Sequence, residues 1–153
     1  MSQRLNMKKL IPEGYKAILA MDTFLSASPL KKSHKDLIDI RTAQINGCAY
    51  CMDMHNRTAL QHGESLQRLF VLSGWREAGL FSDEEKVILA MTEEITLIHQ
   101  HGLSEETYQL ALHHFDETYI AYLITAILSI NALTRVGVST HMRVPVVAAE
   151  HKQ

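Results

Sequence analysis

The chain is poor in the residues that would point away from an ordinary globular domain. Two cysteines cannot form a disulfide framework, and a chain of 153 residues does not need one, because it can bury roughly 68–70% of its unfolded surface. Three prolines and seven glycines leave no collagen-like or low-complexity tract and argue against disorder. A net charge of -2 with mixed signs and a pI near 6.5 lacks the clustered cation excess that phosphate neutralisation requires, so no nucleic-acid partner is expected. No apolar run follows the basic start Met1 to Lys9, so no secretory signal is read and a cytoplasmic location is expected. The long uncharged stretch Tyr119 to Thr134 falls short of the roughly 18–20 residues of a membrane span and carries Thr125, Ser129 and Asn131. No membrane partner follows.

Also absent are repeats, linkers and any convincing two-residue alternation, so residues 1–153 are treated as a single domain. What is present is helical spacing. Pro12 suits a first turn, with a helix from there to about Ala27 that Ser28-Pro29 stops. Ser33 with Asp36 resembles a start box for a helix that Asn46-Gly47 ends. A further helix runs from near Cys48 to about Gln61, and Ser65 opens a short one to about Ser73. Ser82 with Glu85 forms a capping box for a helix to about Gln100. Ser104 opens another short helix, and Asp116 or Thr118 caps a long apolar one to about Arg135. Val144-Pro145-Val146-Val147 is strand-like, at best an edge. The fold class is therefore all-α, a helix bundle of about six to seven helices with short loops between antiparallel neighbours.

Chemistry concentrates in the run from Gln44 to His55. At about 100° per residue, Cys51 lies about 60° from Cys48, and His55 about 40° from Cys51, so all three share one helix face. Gly47 places both cysteines in the first turn, where unpaired N–H groups and the helix dipole stabilise a thiolate. An imidazole beside them can take a thiol proton. A thiolate that attacks a peroxide becomes a sulfenic acid, which a second cysteine within reach converts to a disulfide.

A proton path also needs a carboxylate. If the two helices fold back at Asn46-Gly47, Asp36 lies about 16 Å from the turn, Asp39 about 12 Å and His55 about 12 Å, and helix rotation decides between the two aspartates. The same residues allow a blander account, in which Cys48 and Cys51 are small buried hydrophobes, Asp36 serves only the cap of Ser33, and Tyr50 packs. A zinc site of Cys48, Cys51, His55 and His62 is the sharper rival, but its spacing matches no finger or ribbon.

The run Gln44-Ile45-Asn46-Gly47-Cys48-Ala49-Tyr50-Cys51 with Asp53-Met54-His55 resembles the core motif of the AhpD-like alkylhydroperoxidases, in the carboxymuconolactone decarboxylase superfamily. That motif is a glutamate, eleven residues, Cys, any residue, His or Tyr, Cys, three residues and His. Cys48, Tyr50, Cys51 and His55 match it, and Asp36 stands at the glutamate position. Trp75-Arg76-Glu77 and Ile130-Asn131-Ala132 are also similar to the family. The resemblance implies an all-helical AhpD-like subunit that forms a homotrimer or homohexamer, and a peroxidase that needs no metal, flavin or other cofactor. It implies Cys51 as the attacking thiol, Cys48 as the resolving one, and His55 with Asp36 as proton relay. The implied partners are a hydroperoxide substrate and a dithiol reductant, such as a lipoylated carrier or a thioredoxin-like protein. Alternatives are a lactone decarboxylase, whose relatives usually lack the paired cysteines, and a non-catalytic assembly that uses the disulfide as a redox sensor.

Overall fold

Apolar residues at helical spacing on more than one face force a helix into the interior, and Lys32–Asn46 is the clearest case. In the computed structural model, which describes residues 2–146, eight of its residues are buried. The order of α-helices among the described residues is α1 (Met7–Leu10), α2 (Pro12–Ser26), α3 (Lys32–Asn46), α4 (Ala49–Gln61), α5 (Leu66–Val71), α6 (Trp75–Ala78), α7 (Asp83–Thr96), α8 (Glu105–His114) and α9 (Glu117–Thr140). A 3-10 turn, Leu72–Gly74, joins α5 to α6, and no strand occurs among the described residues. The protein is all-α, as its spacing predicts.

Helix α3 packs on α4, α7 and α9 and feeds two cores. Ile38 joins Val87, Ile88 and Met91 of α7 and Leu123, Ile127 and Ile130 of α9. Leu37 and Ile40 face the other way, onto Ala59, Leu69, Leu72, Trp75 and Leu89. Each such side chain contributes about 1.5–3 kcal/mol on burial, which fixes the rotation of α3 and hence the direction of its aspartates.

Several helix ends follow the sequence signals. Ser82 and Glu85 form the reciprocal capping box, Ser104 accepts from Thr107 N, and Asp116 accepts from Tyr119 N. Gly47 adopts φ 67° and ends α3.

Other ends do not. Ser33 makes no cap: α3 begins at Lys32 with Lys31 as its N-cap, because Tyr119 Oη of α9 accepts from Lys31 N at 3.1 Å. Helix α7 stops at Thr96 rather than near Gln100, and Trp75–Ala78 forms a short helix. Helix α9 continues through Gly137 to Thr140, past the expected end near Arg135. It spans 24 residues and is apolar enough to cross a membrane by length and composition, but ten of its residues are buried within the bundle. Residues 144–146 form no regular structure, and the rest of the strand-like run, Val147, lies outside the described residues.

Candidate active site

The turn that carries the cysteines is fixed by a buried polar network between α3 and α9. Asn46 Nδ2 donates to Asn131 Oδ1 at 3.0 Å and to Thr134 Oγ1 at 2.9 Å. Asn131 Nδ2 in turn donates to Thr96 Oγ1 and to Ile127 O, and Arg135 donates to Asn131 Oδ1. Asn46 thus does more than stop a helix. Satisfied side-chain amides of this kind hold a unique geometry, because any shift would strand buried donors.

Cys48 is the N-cap of α4, and its Sγ accepts from Cys51 N at 3.3 Å. The two sulfurs are joined in a disulfide, and both residues are almost fully buried, at 2% and 4% exposure. The unsatisfied N–H groups of a helix start favour negative charge, and Cys48 stands at such a start. Helix α9 closes the site from above. A Cβ at Gly137 would lie 2.9 Å from Cys48 Sγ and 3.4 Å from Cys51 Sγ, so only glycine fits this turn of α9.

The two cysteines line different cavities. Cys48 lines one of about 290 Å³ with Gly47, Gly137, His141, Met142 and Arg143. Cys51 and His55 line the other, of about 240 Å³, with Tyr15, Leu19 and Asp22 of α2, Met54 of α4, and Leu133 and Val136 of α9. Tyr50 and Met142 border both.

His55 is buried and differs at its two nitrogens. Nδ1 lies 3.3 Å from Asp39 Oδ2, while Nε2 has no hydrogen-bond partner among the described residues. An unpaired buried nitrogen costs about 1–3 kcal/mol, and here it belongs to a residue that shares a cavity with Cys51. Burial pushes the Asp39 carboxyl upward, and His55 and Lys35 oppose that push. Lys35 Nζ donates to Asp39 Oδ2 at 2.7 Å and lies 2.9 Å from Asp22 Oδ1. Burial works against the Lys35 charge, but Asp39 and Asp22 outweigh it and hold the ammonium above its ordinary range.

The structure joins Cys48 and Cys51 in one disulfide, sets His55 on the cavity that Cys51 lines, and places Asp36 elsewhere. Its carboxylate lies 2.7 Å from His62 Nδ1, one residue past the end of α4, and does not meet His55. The level of each residue above the turn explains the exchange. Asp39 and His55 are equally far from Gly47, whereas Asp36 sits about one helical turn further out. The same contact engages His62, the fourth ligand of the zinc alternative, away from the sulfurs. Spacing could have exposed Lys35, since Lys35 and Asp39 stand four apart on α3. Asp22, Tyr15 and Gly137 carry no local signal, because they meet the site only through packing.

The sequence profile of the carboxymuconolactone decarboxylase family matches residues 12–94. The uncharacterized protein YdfG of Bacillus subtilis (strain 168) is 37% identical over 139 residues, covering 91% of this chain and 95% of that one. A protein of unknown function from Agrobacterium tumefaciens, provisionally described as antioxidant defence protein AhpD, is 31% identical. Its structure superposes with a TM-score of 0.93 over 95% of this chain and 100% of its own. An uncharacterized peroxidase-related protein from Silicibacter sp. TM1040, at 25% identity, gives a TM-score of 0.76 over 92% of this chain and 74% of its own.

Proposed function

The chain is an AhpD-like member of the carboxymuconolactone decarboxylase family, and from that premise we propose that it is a thiol-dependent peroxidase cycling between the Cys48–Cys51 dithiol and its disulfide. The observation that carries this reading is the pairing of that disulfide with His55, whose Nε2 has no partner among the described residues, on the cavity that Cys51 lines. His55 takes the Cys51 proton, and the thiolate attacks the distal oxygen of a hydroperoxide. The O–O bond breaks, the alkoxide leaves as alcohol with a proton from His55, and Cys51 becomes a sulfenic acid. Cys48, whose place at the start of α4 favours its ionisation, gives up its proton and attacks the Cys51 sulfur; the S–O bond breaks, the hydroxyl leaves as water with the proton that Cys48 released, and the disulfide forms. A dithiol reductant then attacks Cys48 from the cavity that Cys48 lines, forming a mixed disulfide as Cys51 leaves and regains its proton; the reductant's second thiol attacks its own sulfur in that bond, Cys48 leaves with a proton, and the reductant is left as a disulfide. Asp39 orients His55 through Nδ1, the role the family motif gives to the carboxylate at Asp36.

A lactone decarboxylase reading gains nothing from two sulfurs beside a histidine. The reductant, whether a lipoylated carrier or a thioredoxin-like protein, is assigned to the Cys48 side because Cys51 lines the other cavity. Assembly into a homotrimer or homohexamer is supported by Phe24 of α2 and Leu128 of α9, which stay half exposed. The deciding experiment measures consumption of tert-butyl hydroperoxide with dihydrolipoamide as reductant. Wild type turns over, Cys51→Ser does not, and undiminished turnover by Cys51→Ser overturns the reading.

A further inference from the structure

An ionic chain crosses three helices and ends on His55. Asp22 Oδ1 of α2 is 2.9 Å from Lys35 Nζ of α3, Lys35 Nζ donates to Asp39 Oδ2, and that same oxygen is 3.3 Å from His55 Nδ1 of α4. Asp39 is buried, the Lys35 side chain is 22% exposed, and Asp22 is the wettest of the three acidic and basic members at 38%. The chain also folds back on the site, because Asp22 and His55 line the same cavity as Cys51.

We propose that Lys35 is the positioning residue that sets the charge of the Asp39–His55 pair, with Asp22 as its counterweight. A buried carboxylate whose one cationic neighbour is an imidazole tends to share a proton with it, and a shared proton removes the base from the thiol. The ammonium of Lys35 gives Asp39 a permanent counter-charge on the same oxygen that meets His55 Nδ1. Asp22 limits that effect by drawing part of the ammonium's field to the cavity wall. The groups on this cavity and chain are Tyr15 and Asp22 from α2, Lys35 and Asp39 from α3, and Tyr50, Cys51 and His55 from α4; α9 adds Leu133 and Val136 to the wall.

The sign of the effect does not depend on which group holds the proton. Removing a nearby cation lets thiol, imidazole and carboxyl all keep protons to higher pH, and removing a nearby anion does the reverse. Lys35→Met and Asp22→Asn must therefore move the same titration in opposite directions, which a purely structural role would not do.

The proposal rests on Cys51 as the reactive thiol, and its test needs no peroxide. In reduced full-length protein carrying Cys48→Ser, the rate of Cys51 alkylation by iodoacetamide is followed between about pH 5 and 10. The midpoint rises by about half to one pH unit in Lys35→Met, falls in Asp22→Asn, and stays close to the parent in Lys35→Arg. Circular dichroism and thermal melting check folding. If Lys35→Met does not fold, a fall in Asp22→Asn with retention in Lys35→Arg carries the proposal, and an unmoved Asp22→Asn overturns it. Midpoints that stay fixed, or that move together, also overturn it. Opposed shifts in a protein that turns over no peroxide overturn the peroxidase reading alone, whereas turnover with unmoved midpoints overturns the Lys35 assignment alone.

Discussion

Gly137 of α9 leaves room for the sulfur of Cys48 and for no side chain of its own: a Cβ there would stand 2.9 Å from Cys48 Sγ. Both sulfurs are bonded to each other and tied to α4, so the clash falls on atoms that cannot swing away. This contact makes a mid-helix glycine, which elsewhere costs about 0.5–1 kcal/mol relative to alanine, the best residue at its position.

Gly137→Ala is accordingly expected to destabilise the oxidised protein by about 1–3 kcal/mol, as overpacking does. At this chain length that is a loss of about 2–4 °C in Tm per kcal/mol. In a Cys48→Ala background the same change should cost little or raise Tm. Thermal unfolding of the four proteins in the cycle measures the coupling, and additive effects would contradict the contact.

Asp39 and Asp36 sit on one helix and should answer differently to the same change. Asp39→Asn removes the anion at His55 Nδ1 and is expected to lower turnover by up to about 100-fold, since an oriented general base is worth of order 10²–10⁴. Asp36→Asn removes the partner of His62 and should leave turnover within about threefold while lowering Tm, because a hydrogen bond to a charged group contributes about 1.5–3 kcal/mol. Steady-state rates with melting curves separate the two.

Cys48→Ser keeps the attacking sulfur and removes the resolving one. One equivalent of peroxide should be consumed and a sulfenic acid should persist on Cys51, trapped by dimedone as a mass increase on that residue. Absence of the adduct in Cys48→Ser, with an adduct on Cys48 in Cys51→Ser, would reverse the order of the two cysteines.

Glu93 gathers Arg41, Arg76 and the indole N–H of Trp75 where α3, α6 and α7 meet. Burial raises its carboxyl, but the bonds from Trp75, Arg76 and Arg41 outweigh burial and hold it below the usual 4.5. A carboxyl lowered in the folded state stabilises above its unfolded value, and that stability is lost as pH falls through the folded value. Melting temperature should therefore drop below about pH 4.5, and Glu93→Gln should flatten that acid limb while costing about 1–3 kcal/mol at neutral pH. A wild-type acid limb left unchanged by Glu93→Gln would show that other carboxylates govern it.

Local rules made much of this protein legible. Cys48, Cys51 and His55 share a face because helix geometry is set by residues three and four apart, and Gly47, Ser82, Ser104 and Asp116 mark helix ends through bonds within one turn. The family motif is read from the same short run. Ser33 shows where such rules stop, because the start of α3 is settled by a hydroxyl of α9, 88 residues away.

What the chain determined by itself is an all-helical domain with a dithiol and a histidine on one helix face. What the tertiary structure decided is which aspartate reaches that histidine, that Lys35 and Asp22 stand behind it, and that α9 runs on through Gly137 to cover the disulfide. The reason is that contacts within a helix follow from backbone geometry, whereas contacts between helices depend on rotation and offset. Those are set by burial of Leu37, Ile38 and Ile40 in two cores at once, a sum over the whole fold that no local pattern contains.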